Sequence, residues 1–237
     1  MKTKTTKNSE ALEESPDNHR REFLKYSAIG AGVLFSSMLF PGCKRDQPEL
    51  PDPNKGVDLG SGDTGVLNYA YALEQLEAAF YTQIIATPYS GMSSEEGKIM
   101  EDLRRHEVAH RDFLKAAIGS TAIPDLEVDF STVDFTDRAS VLATAKAIED
   151  LGVSAYNGAG RLLQDVNLLL VAGKIVSVEA RHAAAIRDLI NPNSIDFAGN
   201  DVVNAMGLDV VRTPSQVLAI ASTFVKTPIN AANLPKT

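Results

Sequence analysis

Apolar residues return every three or four positions through four long stretches of the chain, separated by residues that stop helices. The first stretch runs from about Asp63 or Thr64 to about Ala86, with no breaker inside it and Thr87-Pro88 at its end. The second opens at Ser93, whose capping box is completed by Glu96, and continues to about Ile118 before Gly119. Residues 119–136 lack a helical period and contain Pro124, which makes them a connection long enough to cross from one end of a bundle to the other. The third stretch begins near Thr136 or Asp137 and reaches about Leu163, with Gly152, Gly158 and Gly160 as weak points whose small size permits close helix packing. The fourth follows Asp165, a good N-cap, and stops at Asn191-Pro192. A shorter helix begins after Thr213, with Pro214 at its first position and Gln216 completing a second capping box. This pattern predicts an all-α four-helix bundle of two helical hairpins joined by one long crossover, plus a short C-terminal helix.

The hairpins repeat each other. Ala72-Leu73-Glu74-Gln75-Leu76 with Tyr81 matches Ala147-Ile148-Glu149-Asp150-Leu151 with Tyr156, and both Glu-to-Tyr separations are seven residues. Seven residues is two helical turns, so each Glu shares a face with its Tyr. The second members match as well: Leu103, Glu107, His110, Leu114 and Ile175, Glu179, His182, Ile186 follow the same spacings. In both, an apolar stripe is interrupted by Glu-x-x-His. The composition predicts about 0.24 such Glu-to-His pairs by chance, against two in equivalent positions.

The heights agree too, because residues of an antiparallel hairpin meet only when the turn lies midway between them. The midpoint of Glu74 and Glu107 falls at Ser90-Gly91 and that of Glu149 and Glu179 at Gln164, at or beside turns already placed by caps and breakers. Six side chains, Glu74, Glu107, His110, Glu149, Glu179 and His182, are therefore expected to converge at one level inside the bundle. Four carboxylates in an apolar core need compensating cations. Two divalent metals supply that charge, and oxygen donors with one imidazole per metal suit two iron or two manganese ions. In the usual arrangement Glu107 and Glu179 bridge the metals, while Glu74, Glu149 and the two histidines are terminal ligands.

Composition narrows the alternatives. The chain has 237 residues, one cysteine and a formal net charge of -8, so nucleic acid is not expected as a partner. A single cysteine excludes an internal disulfide, a four-thiolate zinc site and an all-thiolate iron site, leaving histidine and carboxylate for any metal.

Residues 1–43 have the layout of an export signal: His19-Arg-Arg-Glu-Phe-Leu-Lys25 precedes an uncharged, largely apolar run from Tyr26 to Gly42 that ends at Cys43. The twin Arg20-Arg21 with Phe23-Leu24-Lys25 resembles a twin-arginine signal, which implies a periplasmic or cell-envelope location. Leu39-Phe-Pro-Gly-Cys43 resembles a lipoprotein signal, in which Cys43 is acylated; Phe40 and Pro41 depart from the usual small residues, and an ordinary signal or a retained anchor stays open. Residues 44–62, with Pro48, Pro51 and Pro53, have the composition of a flexible tether. Membrane contact is expected only through this N-terminal part. Without residues 1–42 the balance is 17 basic to 26 acidic side chains.

Over about residues 63–192 the chain resembles the ferritin-like superfamily of di-metal carboxylate proteins. Leu67-Asn-Tyr-Ala-Tyr-Ala-Leu-Glu74-Gln-Leu-Glu-Ala-Ala-Phe-Tyr81, Ala147-Ile-Glu149-Asp-Leu-Gly-Val-Ser-Ala-Tyr156 and Val178-Glu-Ala-Arg-His182 are similar to its secreted and desiccation-related branch. The resemblance implies the fold and the metal site but not the reaction; a metal pair with open positions leads to the expectation of an exported redox protein acting on Fe(II), dioxygen or peroxide. The alternative is a stress or surface protein that binds metal without turnover. A cage for bulk iron storage fits poorly with a tether and a C-terminal extension, although a smaller homo-oligomer is compatible with both readings. The single cysteine argues against a rubrerythrin-type peroxidase, and the complete pair of motifs against a manganese catalase.

Several residues stand outside this set. Glu77 lies three residues beyond Glu74, but its repeat counterpart is Gly152, so it is expected beside the ligands or in solvent. His106 corresponds to Val178 and is expected to flank the site, His19 belongs to the signal, and Arg105 and Arg181 should reach the surface. Tyr81 and Tyr156 either hydrogen-bond to the carboxylates or serve as core aromatics with a polar tip. Residues 193–237 carry no recognisable motif and are expected to cover the bundle.

Overall fold

The computed structural model describes residues 56–236; the expected export signal, Cys43 and the expected tether as far as residue 55 lie outside the described residues. The order is β1 (Val57–Asp58), α1 (Gly62–Ala86), α2 (Ser94–Ile118), α3 (Arg138–Ala159), α4 (Val166–Ile190), α5 (Pro214–Ala221) and β2 (Ile229–Asn230). The helices pack as the hairpins α1/α2 and α3/α4, set side by side as the repeat requires. No helix among the described residues is long and apolar enough to cross a membrane.

The caps explain the boundaries. Ser93 accepts from the Glu96 N–H while the Glu96 carboxylate accepts from the Ser93 N–H, and Gly119, at φ 68°, turns the chain out of α2. Asp137 accepts from the Ala139 and Ser140 N–H groups at the start of α3, and Asp165 from Asn167 at the start of α4. Ser61 makes no side-chain cap on α1; instead Asp63 in its first turn accepts from the backbone N–H groups of Gln164 and Asp165, tying the α3/α4 turn to the first hairpin. The third helix is shorter than the expected reach to Leu163. It passes into a 3-10 turn over Gly160–Leu162, and the extended backbone of Leu163 ends it.

The crossover over 119–136 is laid against α1 by two amides. Asn68 donates to the Leu59 and Thr121 carbonyls and accepts from the Ile123 N–H, while Gln75 accepts from Leu126. These contacts satisfy backbone groups that an irregular segment would otherwise leave unpaired against the core. They also show that the expected tether ends earlier than residue 62. Leu59 is fully buried, and Val57–Asp58 pair in parallel with Ile229–Asn230.

The C-terminal extension covers α3 and α4. Arg187, buried on α4, forms paired hydrogen bonds to Asp150 of α3 and to Asp201, and donates to the Asp196 carbonyl. Arg212 donates from its backbone to the Ser154 carbonyl and from its side chain to the Ser154 hydroxyl. This approach requires Gly158, where a Cβ would lie 1.7 Å from the Arg212 carbonyl oxygen. Gly158→Ala is expected to destabilise the protein by about 1–3 kcal/mol through forced displacement of this strap. Gly173→Ala, where a Cβ meets nothing within 4 Å, should be neutral or stabilising. Chemical unfolding of the two variants checks the contrast.

Candidate metal centre

The core is in two halves. One cluster contains Leu73, Leu114, Tyr156 and Ile175, and the other contains Phe80, Leu103, Ile148 and Ile186. Between them lies a polar layer. Glu74, Glu107, Glu149 and Glu179 have no exposed surface, and His182 is 3% exposed. Each sits mid-helix on the stripe that faces the other three helices, so burying the apolar residues one turn above and below carries it inward.

The donors form two groups, Glu74, Glu107, His110 and Glu179, and Glu107, Glu149, Glu179 and His182, each offering atoms within 4.8 Å of one another. In the first, His110 Nδ1 is 2.9 Å from Glu179 Oε1, 3.3 Å from Glu107 Oε2 and 3.4 Å from Glu74 Oε2. In the second, His182 Nδ1 is 2.6 Å from Glu107 Oε1, 3.6 Å from Glu149 Oε2 and 3.7 Å from Glu179 Oε2. Glu107 and Glu179 thus present one oxygen to each group, whereas Glu74 and Glu149 each serve one. The internal repeat of the sequence becomes a two-fold arrangement of donors.

Both tyrosines bind carboxylates across the hairpins: Tyr81 donates to Glu149 Oε1 and Tyr156 to Glu74 Oε1, each at 2.5 Å. That decides between the two roles expected for them. Of the remaining atoms, His110 Nδ1 and Glu107 Oε2 are hydrogen-bonded at 3.3 Å, and most of the others are unpaired. Glu74 Oε2, Glu107 Oε1, Glu149 Oε2, both oxygens of Glu179 and His182 Nδ1 are buried without a hydrogen-bond partner, although they lie close together. Atoms that converge without hydrogen-bond geometry suit a set aimed at common points between them, and oxygen donors with one imidazole per group fit divalent iron or manganese.

The electrostatics carry the same tension. Burial pushes Glu74 well above the usual carboxylate range, with Glu179 adding to the effect, and burial raises Glu149 to about 8. Burial opposes ionisation of Glu107 also, but contacts with His110 and His182 outweigh it and bring the group down to about 2. His110 resists the same burial through Glu107, Glu179 and Glu74, which hold it protonated up to about 12, and His182 is raised likewise by its carboxylates. Metal-free, the layer holds itself together by sharing protons.

The family comparison agrees with this geometry. A ferritin-like domain model matches residues 62–192, more than half of the chain. The chain belongs to the ferritin-like family. A comparison with curated proteins gave no match. The ferritin-like core covers α1 to α4, so the strap from residue 193 onward and the β1/β2 pair lie outside the matched part.

Two further residues lie beside the ferritin-like layer. Glu77, expected beside the ligands or in solvent, is 2% exposed, and its Oε2 has no hydrogen-bond partner. Burial and the neighbouring Glu179 push it well above the usual carboxylate range. The signal for this was Gly152: a Cβ there would lie 2.6 Å from Glu77 Oε1, so the missing side chain in one half of the repeat houses the extra carboxyl of the other. His106 does flank the site, with Nδ1 2.8 Å from His182 Nε2 and the two rings stacked. It is exposed, so it links His182 to the surface. Arg105 reaches the surface and pairs with Glu101.

Proposed function

We propose that this ferritin-like chain is an exported di-metal carboxylate protein that oxidises Fe(II), or consumes peroxide, at a centre held by Glu74, Glu107, His110, Glu149, Glu179 and His182. The observation that carries the reading is the sharing of Glu107 and Glu179 between two otherwise separate donor groups. Two iron or two manganese ions bound there would supply reversible one-electron chemistry toward dioxygen or peroxide.

The chain's own residues have definable tasks. Glu107 and Glu179 span the two positions and set their separation. His110 and His182 complete one position each, and His106 orients His182 by engaging its second ring nitrogen. Tyr81 and Tyr156 fix the rotation of Glu149 and Glu74 and remain neutral, since burial and the adjacent carboxylates raise both phenols far above their ordinary value. Tyr81→Phe and Tyr156→Phe are each expected to weaken metal binding by roughly 10- to 100-fold while leaving the fold intact. Competition against a chelator measures this, and unchanged affinity in both would remove the tyrosines from the site.

The export reading rests on Arg20-Arg21, the uncharged run to Gly42, and Cys43 at the place of a lipobox cysteine. It supports a periplasmic or cell-envelope location, and the motifs around Glu74, Glu149 and His182 support the secreted, desiccation-related branch. Anaerobic loading with Fe(II) or Mn(II), followed by dioxygen or peroxide, tests the redox activity. Metal oxidation faster than in protein-free buffer is the expected result. Loaded protein inert to both oxidants would favour a role in sequestering metal or stiffening the bundle.

A further inference from the structure

The two halves of the bundle are not equally packed. Beside the Glu74/His110 group the core leaves a cavity of about 50 Å³, between α1, α3 and the seam where α2 faces α4. Its inner wall includes Leu73, next to Glu74, Leu114, one turn beyond His110, and Ile175, one turn before Glu179. Tyr156 completes that wall and binds Glu74. Its outer edge is formed by the exposed Phe113 and Ala117 of α2.

The repeat shows why this cavity exists on one side. Tyr156, Ile175 and Leu114 correspond to Tyr81, Leu103 and Ile186, which are of similar size. But Ala155, Ala159 and Ala172, which line the cavity, stand where the other half has Phe80, Ile84 and Met100. Those three large side chains are fully buried and close the layer beside the Glu149/His182 group. These large-to-small differences at equivalent positions contribute to the opening.

From this asymmetry we infer that dioxygen reaches the centre through the apolar cavity on the Glu74/His110 side; the inference rests on the redox function proposed above. The cavity is about a third of the ~150 Å³ that accommodates benzene in an engineered core, enough for a diatomic gas. The walls are almost entirely carbon, and the Tyr156 hydroxyl is spent on Glu74. Water, peroxide and hydrated cations would lose hydrogen bonds without replacement, whereas dioxygen has none to lose.

The test uses xenon on the metal-free protein and two oxidants on the loaded protein. Xenon-pressurised crystals should show the atom in this cavity, and the refilled variant Ala159→Ile with Ala172→Met should exclude it. In the refilled variant the dioxygen-dependent rate should fall by at least roughly tenfold, with metal content and the peroxide-dependent rate unchanged. Ala117→Trp, a surface change at the outer edge, should act in the same direction and stands in if refilling prevents folding. Absence of xenon from the cavity, or a wild-type dioxygen rate in both variants, would overturn the inference alone. Wild-type protein that takes up xenon but reacts with neither oxidant would overturn the redox function and the dioxygen assignment together.

Discussion

Alanine in place of either Glu107 or Glu179 is expected to abolish binding of both metals, whereas Glu74→Ala or Glu149→Ala should remove one. The difference follows from geometry. Each of the first pair presents an oxygen to both histidines, and each of the second pair belongs to one group. Losing a bridging carboxylate takes a donor from both positions and a negative charge from between two cations, which then repel each other across a short distance in a dry interior. Losing a terminal carboxylate leaves three donors at one position and the other position complete. Elemental analysis after anaerobic loading distinguishes the cases. Two metals per chain retained in both Glu107→Ala and Glu179→Ala would sink the site assignment, and equal losses in all four variants would refute the division into bridging and terminal roles.

The second large effect is a pH dependence that metal reverses. In the metal-free protein Glu74 and Glu149 titrate above their ordinary range, so the folded state holds protons that the unfolded chain has released. Stability is then greatest near the ordinary carboxylate value and falls as pH rises toward about 8. His110, raised to about 12, adds in the same direction: its contribution is complete below its ordinary value of 6.5 and is lost as pH rises toward 12. Glu107, lowered to about 2, acts oppositely and only below its ordinary value of 4.5, where acid removes its contribution. Between pH 5 and 8 the metal-free protein should therefore lose stability steadily, because the folded state holds more protons than the unfolded chain throughout this interval. Metal binding requires the same groups deprotonated, so metal-induced stabilisation should grow over the interval in which the metal-free protein weakens. Denaturant unfolding with and without chelator at several pH values measures both. A metal-free stability that is flat or rises from pH 5 to 8 would contradict the proton-sharing account.

Much of this arrangement was legible in the sequence because its signals are local. Capping boxes at Ser93 and Thr213, the N-caps Asp137 and Asp165 and the stops at Thr87-Pro88 and Asn191-Pro192 act within a few residues, and they set the helix boundaries. The six converging donors were readable for a different reason. The internal repeat supplies each half with a comparison, and hairpin symmetry converts turn positions into heights.

What stayed hidden depends on contacts between distant segments. Asn68 and Gln75 are ordinary polar residues until the crossover is laid against them, and Arg187 becomes a staple only because Asp150 and Asp201 arrive from both sides. Val57 to Leu59 read as tether by composition, but a strand pair with residues 229–230 draws them into the fold. Whether Glu77 lay beside the ligands or in solvent was undecided because its burial depends on an absence, the missing side chain of Gly152 on another helix. The third helix stops short of Leu163 because its glycines weaken it where the chain must turn into α4.

The most direct test of the central claim is anomalous diffraction from crystals of the protein loaded with iron or manganese. The account predicts two peaks per chain, one between Glu74 and His110 and one between Glu149 and His182, with Glu107 and Glu179 touching both. A single peak, peaks elsewhere, or an empty layer with the carboxylates still packed together would contradict it.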